Sequence, residues 1–470
     1  MTAGVPLPEA LTVSVRYQPK TAAMRRYTRY YALASLGITL LWGVSSILLP
    51  LQVQQLEFHH LFTGADAHVS LTALNHLKTQ VEAGQVSPTA DQRRLLSLLA
   101  RFNSSQATGL SVVTSVGVFA TMLIQPLVGT LSDRTRSKRG RRAPWIAGGA
   151  CAGAALVALL PAAPGVAALA VLWSLAQLTA NIAAGPLSAT VIDRVPEDRI
   201  GGVSAITGLA AYFGAILGAV LAGALFSVIG LSAYFPIAVT LALAPLAFVL
   251  LVRDRSSKDL TVERPQARTV LGSYVLAFGD RDYRLAWIAK VLLFVGYSVA
   301  GVYTVYMLQS YVHPALSASA AAHTASLIQV AGLPSALIGM AVSGPWSDRI
   351  RRRKPFVVAA SVIMTVALLI PLVWPTLAGM YLMAVINGLG FGTYIVVDQA
   401  LFIDVLPHRE AAGRDLGLAS LGQNLGQALG PVLAGAVVAV SGGAYGPIWP
   451  VASAWVLVAA LVVAPIKRVR

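Results

Sequence analysis

The chain is short of charge, nearly devoid of cysteine and without a nucleotide-phosphate loop. Charged residues make up 11% of its 470 positions against 56% hydrophobic. A soluble protein carries about a quarter charged residues. The deficit excludes a string of ordinary soluble domains, and the relevant unit becomes the apolar span of ~20 residues. The single cysteine, Cys151, lies in an apolar run. It excludes an intrachain disulfide and reads as a small packing residue. The pattern G-x-x-x-x-G-K-[ST] does not occur. ATP therefore does not drive this protein directly, and no enzyme chemistry or organic cofactor is implied. Acids are scarce too, 19 Asp and Glu against 35 Lys and Arg, for a net charge of +16. Such a balance suggests nucleic acid, but the cations gather in short loops between apolar runs. That placement marks cytoplasmic loops, so no nucleic-acid partner is implied.

What is present is a repeated loop. Gly129 to Trp145 reads GTLSDRTRSKRGRRAPW, and Gly344 to Val357 reads GPWSDRIRRRKPFV. Asp133 and Arg134 match Asp348 and Arg349, and Arg142 through Trp145 matches Arg353 through Phe356. Further on, Ile192 through Pro196 matches Ile403 through Pro407, which pairs Asp193 with Asp404. Gly214, Gly218 and Gly223 match Gly426, Gly430 and Gly435. Small residues at such spacing let helices approach closely in a membrane. Two copies of one pattern between apolar runs mean a duplicated membrane protein.

These residues carry a resemblance. The G-x-x-S-D-R loop ending G-R-R-x-P-[WF] resembles the loop between helices 2 and 3 of the major facilitator superfamily. Its full form is most similar to the sucrose transporters and the glycoside–pentoside–hexuronide:cation symporters. The resemblance implies an all-α integral membrane protein with twelve transmembrane helices in two pseudo-symmetric six-helix bundles, both termini cytoplasmic. The segment Asn181 to Asp193 is similar to the sucrose-transporter helix 4 at Gly185, Pro186, Ala189 and Asp193. Ser188 stands where that family usually has Arg, which puts sucrose itself in doubt. The helix expected over Gln106–Val128 lacks Asp and Glu. This argues against the sodium site of melibiose-type symporters and leaves proton coupling or uniport.

The expected organisation runs as follows. Residues 1–29 form a basic cytoplasmic segment with no signal peptide. Residues 30–252 make the first bundle, with an extracytoplasmic loop over 52–105. That loop should hold two short helices, one capped by Ser70 and one starting at Thr89. Residues 253–283 link the halves, 284–466 make the second bundle, and 467–470 are a basic tail. Expected spans are about 144–160, 166–193, 203–228, 234–252, 285–311, 323–343, 355–370, 377–402, 416–440 and 448–466, besides 30–51 and 106–128. The uncharged turns 161–165, 230–232, 371–375 and 441–446 alternate with basic loops. His59, His60, His68 and His76 fit no tight ligand motif and read as solvated surface, so no metal is expected.

Charges inside spans are costly and usually have a job. Lys290 and Asp398 stand in the helices expected over 285–311 and 377–402 and are placed to pair. Either the pair couples transport to protons, or Lys290 snorkels to the headgroups and Asp398 is structural. Asp193 either joins the coupling or latches to Arg134 or Arg142. Asp133, Arg134, Arg142, Asp348, Arg349 and Asp404 form the expected cytoplasmic gate. Trp42, Gln177, Asn181, Tyr297, Asn387, Tyr394, Gln423, Asn424 and Gln427 are the expected substrate-binding set, offering amides, hydroxyls and aromatic faces. The same residue types also tie helices together. The functional expectation is a monomeric transporter in the cell membrane, working with protons on a small polar solute. The solute expected is a glycoside or oligosaccharide. The alternatives are a proton-driven exporter of an amphipathic drug or metabolite and a non-transporting sensor.

Overall fold

The computed structural model describes residues 21–258, 278–350, 352–405 and 412–467. Most of the expected N-terminal segment, the middle of the linker, Leu406 and Pro407 of the repeat, and the last three residues lie outside the described residues. The elements are α1 (Thr21–Leu61), α2 (Leu71–Glu82), α3 (Ala90–Asp133), α4 (Ala143–Leu159), α5 (Val166–Arg194), α6 (Glu197–Ile229) and α7 (Tyr234–Leu251). The second half holds α8 (Arg281–Gly301), α9 (Thr304–Ser310), α10 (Ala318–Ile350), α11 (Lys354–Val373), α12 (Leu377–Asp404), α13 (Ala412–Val440) and α14 (Ile448–Val463). Helices α8 and α9 are one span broken at Val302 and Tyr303, and α2 is too short to cross a bilayer. Twelve spans follow among the described residues. Nine segments meet a length-and-hydropathy criterion for crossing. One of them joins α6 to α7, the bent α3 adds another, and the short apolar α14 completes the set.

Packing repeats between the halves. In the first half α1 packs on α6 and α7, α5 on α3 and α4, and α4 on α7. In the second half α8 packs on α13 and α14, α12 on α10 and α11, and α11 on α14. The halves meet along two seams, α3 on α13 and α6 on α10. The duplicated glycines explain the closeness. A side chain on Gly218 would collide with the Leu40 backbone of α1, and one on Gly430 with Ser298 and Val295 of α8. Gly223 and Gly435 instead face the opposite half, at Ala322 and Ser111.

Local signals set the helix ends. The motif proline falls in the first turn of α4 and α11, where its missing N–H has no intrahelical partner to lose. Ser70 accepts from the Ala73 N–H, and Thr89 forms a capping box with Gln92. Asp280 caps α8 and Thr376 caps α12.

The largest departure from expectation is at the outer end of the first half. Residues 52–61 continue α1, and the helix starting after Thr89 runs on into the span as α3. The true connection is residues 62–89. The reason is a small apolar cluster above the membrane, where Phe62 and Phe102 pack with Leu74 and Leu99. Phe58 stacks on Phe62 at 4.7 Å. That cluster gives the two helices a core to extend around. Helix α3 bends by 43° between Met122 and Leu127. Pro126 stands in that break, and proline removes an i→i−4 hydrogen bond.

Candidate functional site

Two helix faces build the site. On α12, Asn387, Phe391, Tyr394 and Asp398 recur at i, i+4, i+7 and i+11, the spacing of one face. On α8, Lys290, Phe294, Tyr297 and Gly301 follow the same spacing. At one end of this ladder Lys290 Nζ lies 2.9 Å from Asp398 Oδ2, and both residues are buried. The Tyr394 hydroxyl donates to Asp398 Oδ1 at 2.9 Å, and the Lys290 ammonium sits 4.6 Å over the Phe402 ring. The carboxylate is thus matched by a cation and a hydroxyl, and the cation by a ring face, which offsets their removal from water. Lys290 faces its partner inside the protein, so the snorkelling alternative is set aside.

At the other end is a cavity of about 340 Å³. Its walls include Ser46 of α1, Tyr212 of α6, Gln329 of α10, and Tyr297, Asn387 and Phe391. Both halves therefore contribute. Tyr297 and Phe391 stack at 4.5 Å, and Phe294 meets Phe391 and Tyr394 edge-on at 6.3 and 6.2 Å. A continuous run of rings joins the cavity to the ion pair. Asn387 Oδ1 is buried and has no hydrogen-bond partner among the described residues. An acceptor in that state is costly unless something else fills it, which suits a donor arriving with a solute.

The structure sorts the other expected residues into three groups. Trp42, Gln177 and Asn181 line a separate cleft in the first half, of about 70 Å³, beside Trp173. Tyr394 belongs to the ion-pair cluster rather than to the cavity wall, because its buried hydroxyl has Asp398 as its one hydrogen-bond partner among the described residues. Gln423, Asn424 and Gln427 of α13 are half-buried, line neither cavity and carry no hydrogen bond among the described residues.

The basic loops hold two matching ion clusters, with one correction. Asp193 takes Arg141 at 2.5 Å and Arg142 at 3.1 Å, and Arg142 also reaches Asp133 and the Ser132 hydroxyl, each at 2.5 Å. In the second half Arg353 holds Asp348 and reaches Asp404 at 3.4 Å and Ser347 at 2.7 Å. The partners of Asp193 are Arg141 and the expected alternative Arg142, not Arg134, and the partner of Asp404 is Arg353, not Arg349. Arg134 and Arg349 are exposed and form no ion pair among the described residues. The helix ends at Asp133, and the next residue points to solvent, whereas the arginine before the motif proline is turned inward as the helix N-cap.

Hydrogen bonds between the halves lie toward the opposite, outer end, and sequence reasoning missed most of them. Tyr303 OH donates to the Ala107 carbonyl at 2.7 Å and lies 2.5 Å from Ser111 Oγ, which itself bonds the Pro431 carbonyl at 2.6 Å. Tyr306 OH donates to the Pro50 carbonyl, Gln54 pairs with Gln309 at 3.0 Å, and Gln106 donates to Tyr445 at 2.9 Å. Gln54 and the α3 turns before Gln106 fall inside the expected loop, which hides their helical faces. The available signal was the apolar spacing of Leu95, Leu98, Leu99 and Phe102 leading into the span. No group of three or more His, Cys, Asp or Glu suited to a metal occurs among the described residues.

Comparison with known proteins agrees with the fold. A family model described as Major Facilitator Superfamily matches residues 31–335 and 302–469. Among curated proteins no sequence relative matches. Among solved structures, a mutant form of the nucleoside transporter NupG is similar with a TM-score of 0.69 at 15% identity, over 94% of this chain and 99% of that one. A bacterial homologue of the human lysosomal transporter Spinster, in an inward-facing and unoccupied conformation, is similar with a TM-score of 0.61 at 13% identity, over 95% of each chain. These likenesses concern the fold. With the family matched along nearly the whole chain and the duplicated bundles in place, the chain belongs to the major facilitator superfamily: it is a multi-pass membrane transporter of small solutes and not an enzyme.

Proposed function

We propose that this protein moves a small polar solute, a glycoside or oligosaccharide, across the cell membrane by alternating access coupled to protons. The observation that carries the reading is the shared face of α12. It presents Asn387 and Phe391 to the cavity and Tyr394 and Asp398 to the buried charge, with rings in contact between them. A solute that shifts the Tyr297–Phe391 stack presses on Phe294 and Tyr394, and so on the hydrogen bond that Asp398 accepts. Asp398 is the proton carrier, Lys290 its counter-charge, and Asp193 is kept in the inner latch by its two arginines. The halves, 30–252 and 284–466, rock about the cavity. Latched at the outer end, the described arrangement is the inward-facing one. Asp133, Arg142, Asp348, Arg353 and Asp404 brace the inner loops of each half through that motion.

The second reading is proton-driven export of an amphipathic drug or metabolite. Apolar walls favour it, because Ile216, Ile328, Leu368 and Met383 also line the cavity. A thermal-shift panel of glycosides, nucleosides and amphipathic cations finds a solute, since a ligand of the folded state raises the melting point. With that solute in proteoliposomes, Asp398→Asn should abolish uphill, proton-driven uptake and leave counterflow exchange intact. Uphill uptake surviving in Asp398→Asn removes this residue as the carrier and turns attention to Asp193. Solute expelled rather than accumulated under the same proton gradient selects the exporter.

A further inference from the structure

We propose that a basic groove at the inner mouth of the first half binds the phosphate headgroup of an anionic phospholipid. The groove lies between the first turns of α1, the end of α5 and the chain leaving α7, and encloses about 700 Å³. Arg26, Arg194, Arg253 and Arg255 line it. The two carboxylates in its wall are already engaged. Asp193 is held by Arg141 and Arg142, and Asp254 takes Arg194 at 2.9 Å. Arg26 and Arg253 pair with no carboxylate among the described residues, so the groove keeps a surplus of positive charge. Guanidinium groups present planar, forked donors suited to phosphate oxygens.

Depth and neighbourhood point to a lipid rather than a free anion. The groove includes Leu250 and Leu251, the last residues of α7, and both are exposed. Val239, Leu243 and Leu250 recur at i, i+4 and i+11, so one exposed apolar strip of α7 leads from the bilayer into the groove. An acyl chain on that strip delivers its headgroup to the arginines. Basic pockets between spans on the cytoplasmic side are suited to such headgroups.

The site is also wired to the inner loop. Arg194 donates to the Arg253 carbonyl at 3.1 Å as well as to Asp254. Asp254 packs on Gly140, where φ is +88° and a side chain would collide with its carboxylate. The Ser257 N–H donates to the Ser137 carbonyl, and its hydroxyl to that of Thr135, each at 2.9 Å. A headgroup that competes with Asp254 for Arg194 therefore bears on the loop between α3 and α4. This inference does not depend on which solute is carried.

The test uses the full chain in neutral detergent with added phosphatidylglycerol or phosphatidylcholine, read by native mass spectrometry and by melting temperature. Wild type should retain phosphatidylglycerol over phosphatidylcholine. Arg26→Gln/Arg253→Gln should weaken phosphatidylglycerol binding about 25-fold, at about fivefold per arginine. Arg26→Lys/Arg253→Lys keeps the charge and should lose much less, and Arg25→Gln/Arg29→Gln, elsewhere on α1, should lose less than about fivefold. Equal retention of both lipids by wild type overturns the proposal, as does unchanged binding in the glutamine double variant. An equal loss in Arg25→Gln/Arg29→Gln shows diffuse surface attraction and overturns the groove. Inorganic phosphate raising the melting point as far as phosphatidylglycerol shows a free-anion site and overturns the lipid.

Discussion

The two halves share a plan and differ in where they keep charge. The repeat that pairs Asp193 with Asp404 assigns to Asp398, six residues earlier, the position of Leu187. Leu187 is buried in apolar packing of the first half, while Asp398 is buried against Lys290. At the inner loops the bias reverses. Asp193 holds two arginines and is 22% exposed, whereas Asp404 holds one and is 44% exposed. The first half is therefore strongly braced at its inner edge and neutral within. The second is loosely braced and carries the titratable core. Duplication supplied a scaffold that tolerates either arrangement, because the helix contacts rest on small residues and apolar faces rather than on these charges.

The sharpest way to break that comparison is to unbalance the core pair. Lys290→Ala leaves a buried carboxylate without its cation and should cost about 3–5 kcal/mol of stability. Lys290→Met/Asp398→Leu, which copies Leu187, should recover most of that loss while remaining unable to drive uphill uptake. Thermal unfolding in detergent checks the first, and proteoliposome uptake the second. A double variant as unstable as the single would mean the second half needs the charges to fold.

The inner clusters should come next in size. Arg142→Ala leaves Asp193 only Arg141, takes the closer arginine from Asp133 and a donor from the buried Ser132 hydroxyl, and should cost about 2 kcal/mol. Arg353→Ala, acting on more exposed carboxylates, should cost about 1 kcal/mol or less. Arg134→Ala should leave the melting point unchanged. Equal melting points for Arg142→Ala and Arg353→Ala would remove the asymmetry.

The two seams between the halves differ as well. One is bonded through Tyr303 and Ser111, and the other is a close approach at Gly223. Tyr303→Phe should weaken the outer closure by about 1 kcal/mol, one net hydrogen bond. Spin labels at Ala65 and Ser317 should then report a larger share of long distances. An unchanged distribution would place the closure elsewhere.

The smallest effect concerns the outer cap, which only the first half has. Arg94 donates to both oxygens of Asp66, at 2.7 and 2.8 Å, and holds its carboxyl below the usual carboxylate range. A lowered native pKa adds stability that is present above the unfolded value near 3.8 and is lost as pH falls through the native value. Protection of residues 62–89 by hydrogen exchange should therefore be flat from pH 7 to about 4 and decline below it. Arg94→Gln should remove that acid-side decline.

Much of this protein was legible in its sequence. Apolar length set the spans, loop charge set their direction, and the repeat of Asp133 through Trp145 set the two-fold plan, because each signal acts over one helix or one loop. Lys290 and Asp398 stood out for the same reason, since a charge inside an apolar run is visible without any partner. Partnership itself was not visible. Only packing decided that Arg142 rather than Arg134 meets Asp193, that Tyr394 serves Asp398 rather than the cavity, and that Tyr303 closes the outer end against Ser111. The Asp193 and Tyr303 contacts depend on which way a side chain faces from one helix toward another, and tens to hundreds of intervening residues carry no record of that angle. Tyr394 and Asp398 are one turn apart, and there burial decided between the pair and the cavity. The outer extension of α1 and α3 was hidden likewise, because its polar faces read as loop until Phe58, Phe62, Leu74 and Phe102 met in space to form a core.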